Sequence, residues 1–272
     1  MSFGVVVLAL FILVMLAMQG PSVAGLWSPH AALIVIGGSF TATFMSFPTK
    51  QVMRIPRLVL EAIRAPKIEV NSIVATLIRV SDRLRTGGVN ALHSELKGIK
   101  DPFLKKGLQY IAEGFDSKEI QDLMEADMIG IRGRHRNNVA VFESLGGYSP
   151  TLGIMGTVMS MVAILGNLES PDKMGPEIAN AMVATLYGVA AANLLFIPLA
   201  TKLKKLSEEE LRLRWVMIEV VLLMHAGSSP RTIRERLKAS LPPETRKIIQ
   251  DVKGKKGGGN ATGRLETATL QE

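Results

Sequence analysis

Three stretches of the chain contain no Asp, Glu, Lys or Arg: Met1–Thr49, Ser144–Leu168 and Ile178–Thr201. A bilayer core of roughly 30 Å takes about 20 predominantly apolar residues as one helix, so each of the two later stretches holds one span. The first is interrupted between Gln19 and His30, where Gly20, Pro21, Gly25 and Pro29 break the helical run. It divides into two helices, about Phe3–Met18 and Ala31–Phe47, slightly short but accommodated by tilt or local bilayer thinning. The pattern predicts an all-α integral membrane protein: four transmembrane helices with a helical cytoplasmic insert between spans two and three. Residues 1–47 hold spans one and two, 48–143 the insert, 144–201 spans three and four, 202–252 C-terminal helices, and 253–272 a tail.

Outside the spans, apolar positions recur with a helical period. Ile68, Ile73, Leu77, Val80 and Leu84 fall on one broad face, and Gly87-Gly88 ends that run. Asp101-Pro102 joins an N-cap residue to a proline at the first helical position. Asp116-Ser117-Lys118-Glu119 reads as a capping box opening a helix that continues into span three. Lys202–His225 extends span four as an amphipathic helix. Gly227-Ser228-Ser229-Pro230 stops it and caps a short helix ending at Pro242-Pro243. From Lys253 onward the Gly- and Lys-rich composition is that of a disordered tail.

Charge sets the orientation. Of 32 Lys and Arg residues, 16 lie in 48–146 and 15 in 202–272; the short connections Gln19–His30 and Glu169–Glu177 share only Lys173. Cations near span ends mark the cytoplasmic side, and here Lys50, Arg54 and Arg57 follow span two. Arg132, Arg134 and Arg136 precede span three, and Lys202, Lys204 and Lys205 follow span four. Both termini are therefore expected in the cytoplasm. The net charge of +8 is mostly this topology signal, with some attraction to anionic membrane lipid. No nucleic-acid partner is indicated, because the basic clusters lack interleaved aromatics.

Composition argues against an enzyme. There is no cysteine, hence no thiolate chemistry and no cysteine–zinc site. His30, His93, His135 and His225 are scattered, without carboxylates at metal-ligand spacing. No phosphate-binding loop and no nucleophile elbow is present. No cofactor or metal is expected, so energy for work would come from an ion gradient, about 2.3 kcal/mol for each charge crossing 100 mV.

No span contains an ionisable side chain, the usual mark of an ion relay. Either the chain conducts nothing, or a partner helix supplies the titrating group. Ser149, Gly153 and Thr157 recur every four residues in span three, as do Ala184, Gly188 and Ala192 in span four, with Thr185 beside them. Such residues let helices approach closely in lipid; plain helix packing explains them as well as a hydrated path past Thr157 and Thr185. Pro150 and Pro198 lie near the cytoplasmic ends of spans three and four, as simple kinks or as hinges.

These residues closely resemble the MotA/PomA family of flagellar motor stator subunits. The runs that carry the likeness are Gly147-Tyr-Ser-Pro-Thr-Leu-Gly-Ile-Met-Gly-Thr-Val158, Pro171-Asp-Lys-Met-Gly-Pro176, Ala184-Thr-Leu-Tyr-Gly188 and Phe196-Ile-Pro-Leu-Ala200. The resemblance covers roughly residues 1–245 and implies a bacterial inner-membrane protein. It implies a homo-oligomer, a pentameric ring, around two helices of a MotB/PomB-type partner anchored to peptidoglycan. An aspartate on the partner would bind H⁺ or Na⁺, and the cytoplasmic insert would push on the rotor protein FliG. Pro150 and Pro198 match the coupling prolines; Thr157 and Thr185 match residues facing the ion site, with Tyr187 nearby. In the rotor-facing pattern Arg85, Gly88 and Leu92 match, but the glutamate position is His93, with Glu95 two residues on. Read without the family, Arg85 and Glu95 form a solvated helix face. Threonine hydroxyls suit Na⁺ or a proton-relaying water, so both ions stay open, with a slight lean toward Na⁺. Two alternatives are an energiser resembling ExbB or TolQ, which the extra N-terminal hairpin disfavours, and a non-conducting membrane scaffold.

Overall fold

The computed structural model describes residues 26–64, 70–166 and 171–240. Span one, the Pro242-Pro243 helix end and the 253–272 tail lie outside the described residues. Among the described residues the regular structure is entirely helical. The order is α1 (Pro29–Ala32), a π-helical turn π1 (Leu33–Gly37), α2 (Gly38–Ser46), α3 (Thr49–Val52), α4 (Ile55–Arg64), α5 (Val70–Leu96), α6 (Pro102–Glu113), α7 (Ser117–Gly166), α8 (Pro171–Ala190), a second π turn π2 (Ala191–Phe196), α9 (Ile197–His225) and α10 (Pro230–Ser240). Two helical stretches, Ser117–Gly166 and Met174–His225, are long and apolar enough to cross a membrane. The chain forms two compact units, Met1–Lys67 with Ile129–Glu210 and Ile68–Met128 with Leu211–Glu272.

In the first unit, Pro29 opens a helix instead of breaking one. Ser28 Oγ accepts from the Ala31 N–H at 3.4 Å, and proline at the first position costs no hydrogen bond. The same compatibility lets α8 begin at Pro171, seven residues ahead of the charge-free stretch. Neither π turn was visible in the apolar pattern. π2 ends just before Pro198, with the Ile197 N–H reaching back to the Ala192 carbonyl. Proline donates no bond and its ring crowds the carbonyl four residues back; a widened turn relieves that crowding at Leu194. Val52, Ile55 and Leu58 bury against Val139, Phe142 and Leu145, and Phe40 meets Phe196 edge-on with ring centroids 6.5 Å apart.

In the second unit the terminal signals form as the sequence predicts. Asp101 Oδ1 accepts from the Leu104 N–H at 2.8 Å to cap α6. The capping box at the start of α7 is reciprocal: the Glu119 N–H donates to Asp116 Oδ1 at 2.8 Å and the Asp116 N–H to Glu119 Oε2 at 3.0 Å. Helices α6 and α9 end on left-handed glycines, Gly114 (φ 83°) and Gly227 (φ 70°). At each, the next residue's N–H bonds the carbonyl five positions back, Phe115 to Tyr110 and Ser228 to Leu223.

Helix α5 reverses at its glycine pair. Gly88 has φ 63° and ψ −160°, a conformation essentially confined to glycine. Glu95 thereby returns to Arg79 at 3.3 Å and Arg83 at 3.7 Å. In a straight helix Arg79 and Glu95 would lie about 24 Å apart. Gly88→Ala is expected to destabilise this hairpin by about 1–3 kcal/mol, read as a lower thermal midpoint of the purified protein. Lys106 donates to Asp127, and that hydrogen bond raises the Lys106 pKa. A raised lysine pKa stabilises below the ordinary value near 10.4 and loses its effect as pH climbs through the folded value. Asp127→Asn should therefore cost a few tenths of a kcal/mol at neutral pH, and the difference should vanish in strongly alkaline buffer.

Candidate functional site

The small residues of α7 and α8 bring two backbones into direct contact. A methyl added to Gly188 would lie 2.6 Å from the Ser149 carbonyl oxygen and 3.1 Å from Gly153 Cα. One added to Gly153 would lie 3.0 Å from the Ala184 carbonyl oxygen and 3.3 Å from Thr185 Cα. At Gly188 real Cβ atoms do not come that close to backbone, so only glycine fits there; at Gly153 a methyl would need its neighbours to give by a few tenths of an ångström. Ala184 continues it against Gly156, where an added methyl would sit 3.0 Å from the Ala184 Cβ.

Hydroxyls fasten α2 to the same seam. Ser39 and Ser149 are fully buried and their oxygens lie 3.0 Å apart. Ser39 Oγ also reaches the Val35 carbonyl and Ser149 Oγ the Leu145 carbonyl, at 2.5 and 2.7 Å. Two hydroxyl protons thus serve three contacts, and either hydroxyl can be the donor between the two serines. Ser46 and Tyr148 hydroxyls meet at 2.9 Å where α2 ends.

Thr157 and Thr185 both border the seam and are half-buried. Thr157 lies one turn beyond Gly153, and its hydroxyl donates to the Ile154 carbonyl at 2.6 Å. Tyr187 belongs to a different contact. Its hydroxyl donates to the Leu26 carbonyl at 2.7 Å and sits 3.5 Å from the Ser28 N–H, tying α8 to the residues ahead of α1. Pro150 is half-buried inside α7 against Gly188, whereas Pro198 is exposed at the start of α9. The rest of α7 presents Ile154, Val158, Val162 and Leu165 outward, a face suited to lipid or to other chains.

In the second unit Arg85 and Glu95 are not brought together. Arg85 and His93 are exposed, while Glu95, 18% exposed, is held by Arg79 and Arg83. Sequence reasoning missed those two arginines, although the Gly87-Gly88 reversal was the signal that places them opposite Glu95. Among the described residues no group of three or more His, Asp or Glu is placed to hold a metal ion.

Comparison with known proteins gives this arrangement a family. Residues 95–215 match the model of the MotA/TolQ/ExbB proton channel family. The uncharacterised protein YtxD of Bacillus subtilis is 35% identical over 255 residues, spanning 92% of this chain and 94% of its own. Motility protein A of the same organism is 32% identical over 244 residues, spanning 89% and 90%. A chain in the structure of the flagellar MotAB stator complex from Bacillus subtilis superposes with a TM-score of 0.82 at 32% identity, covering 90% of this chain and 97% of that one. The chain belongs to the MotA/TolQ/ExbB proton channel family, in its MotA/PomA branch.

The seam predicts an ordering of substitutions. Gly188→Ala forces backbone against backbone and should cost about 1–3 kcal/mol, visible as a lower thermal midpoint of the detergent-solubilised protein. Gly153→Ala, with its closest approach at 3.0 Å, should cost less by the same assay.

Proposed function

We propose that this chain is a four-span, ion-conducting stator subunit of the bacterial flagellar motor. It sits in the inner membrane with both termini and the 48–143 insert in the cytoplasm. The observation that carries this reading is the seam itself: two glycine-packed helices bordered by threonine hydroxyls, with no Asp, Glu, Lys, Arg or His in Ser144–Leu168 or Ile178–Thr201. Such a surface can line an ion path but cannot bind the ion by charge. The titrating carboxylate then belongs to a partner, and a MotB/PomB-type subunit supplies it. Several copies of this chain, five in this reading, ring the partner helices. Family membership and the likeness to a chain of the MotAB stator complex support this assembly.

The division of labour follows from where each residue lies. Thr157 and Thr185 offer oxygens to H⁺-carrying water or to Na⁺, and neither needs a bound cofactor. Pro150 and the π2–Pro198 segment are where the α7 and α9 hydrogen-bond ladders are weakest. A change of ion occupancy can bend the helices there without breaking the seam. Arg85, exposed near the Gly88 reversal, is available to an acidic patch on FliG. Glu95 is already engaged within the hairpin and serves that contact by holding its shape.

Swimming of a stator-deleted strain carrying this chain and its single-span partner tests the proposal. Motility should return, and speed that rises with sodium at fixed pH and ionic strength names Na⁺, whereas flat speed names H⁺. Membrane assembly without motility in a compatible host would overturn the stator reading in favour of a transport energiser or scaffold. Thr157→Val or Thr185→Val should reduce ion flux about tenfold, the worth of one lost hydrogen bond, with assembly intact. Pro150→Ala and Pro198→Ala should assemble and yet produce no torque; normal swimming by either removes the hinge assignment.

A further inference from the structure

The segment that follows α2 differs in character from the helices around it. Helices α3 and α4 bury Val52, Ile55, Leu58 and Ala62 on one side. Their other side mixes cations with large apolar groups. Lys50, Arg54 and Arg57 are exposed; Met53, between Lys50 and Arg54, is 70% exposed, and Leu60, just after Arg57, 49%. Arg57 pairs with Glu61 at 3.0 Å. Lys50 and Arg54 make no ion pair or side-chain hydrogen bond with any described residue.

Depth is set by two contacts within the first unit. The Ser46–Tyr148 hydroxyl pair marks the end of α2, and tyrosine favours the membrane–water boundary. Gln51 Nε2 donates to the Asn137 carbonyl at 2.6 Å. Asn137 precedes Ser144, where the charge-free stretch begins, by seven residues, about 10 Å along a helix. The headgroup layer adds about 5–8 Å outside the hydrocarbon core, and long cationic stems reach several Å further. Lys50 and Arg54 therefore lie within reach of lipid phosphates. A methionine flanked by two cations that no described residue pairs has, at that level, the character of an interfacial lipid-binding helix. A solvated loop has no reason to expose Met53 there, and a protein neighbour would have to bring its own acidic residues to the headgroup layer.

We propose that α3–α4 is a binding surface for anionic phospholipid of the cytoplasmic leaflet. Lys50 and Arg54 hold the phosphodiester headgroup, and Met53 inserts at the top of the acyl chains. This rests on the membrane placement given above, though not on the choice of coupling ion or rotor contact. Each cation enriches anionic lipid at the surface about fivefold.

Because the chain contains no cysteine, Met53→Cys places one bimane label in each copy. The labelled full-length complex with its partner is reconstituted in phosphatidylcholine vesicles containing a minor fraction of phosphatidylglycerol. Bromine, which quenches bimane on contact, is carried by one lipid or the other. Brominated phosphatidylglycerol should quench well beyond its share of the mixture. The Lys50→Gln/Arg54→Gln pair should reduce that to its share, and Lys50→Arg/Arg54→Lys should restore it, which separates charge from misassembly. Quenching in proportion to composition, or none from either lipid, overturns the proposal; the latter would mean a protein neighbour covers Met53. A second label at Val162, 66% exposed on α7, tests the underlying placement. If Val162 is quenched and Met53 is not, the lipid surface alone is wrong. If neither Met53 nor Val162 is quenched by either lipid, the proposal falls.

Discussion

Backbone-to-backbone contact between α7 and α8 is the constraint on which the first unit depends. Between helices in lipid there is little hydrophobic drive, because acyl chains are as apolar as leucine. Attraction has to come from close packing and from hydrogen bonds the bilayer cannot compete for. Gly153 and Gly188 supply the first by removing every atom that would hold the helices apart. Ser39 and Ser149 supply the second at the same level, with oxygens 3.0 Å apart in a fully buried position. Seam and hydroxyl pair together bring α2, α7 and α8 into one packed group, and the contacts at the seam are made by glycine, alanine, serine and backbone atoms and not by charged side chains.

That contact lies beside two interruptions of the apolar helices. Pro150 touches Gly188, and π2 followed by Pro198 lies immediately beyond α8. A helix that must bend does so where its ladder is interrupted, and here the interruptions flank a seam that resists separation. Any bending of α7 or α9 would therefore concentrate at these interruptions. The absence of titratable groups along the seam fits the same logic: a fixed charge there would need a partner in every conformation, whereas threonine hydroxyls can exchange acceptors as the helices move.

The local signals read from the sequence are the ones the structure bears out. Asp101, the Asp116–Glu119 box, Gly227 and the unbroken run of α7 from Ser117 all act through neighbours within five residues, so the chain alone determines them. In the sequence Pro29 reads as a helix breaker and Pro171 falls in a connection bounded by charged residues. Each instead opens one, since the first helical position has no hydrogen bond to lose. The partners of Glu95 were not legible: the Gly88 reversal turns it toward Arg79 and Arg83, a distance relation that spacing along the chain does not encode.

Charge distribution, the small-residue runs and the four apolar stretches needed no structure to recognise, because membrane insertion and glycine packing depend on composition over short windows. Which glycine faces which carbonyl, where the ladder widens into a π turn, and which arginine takes Glu95 were decided only by tertiary structure. Those outcomes depend on the register between helices far apart in sequence. A shift of one residue along either helix would rotate its contacts by about 100°, and no local pattern specifies that choice.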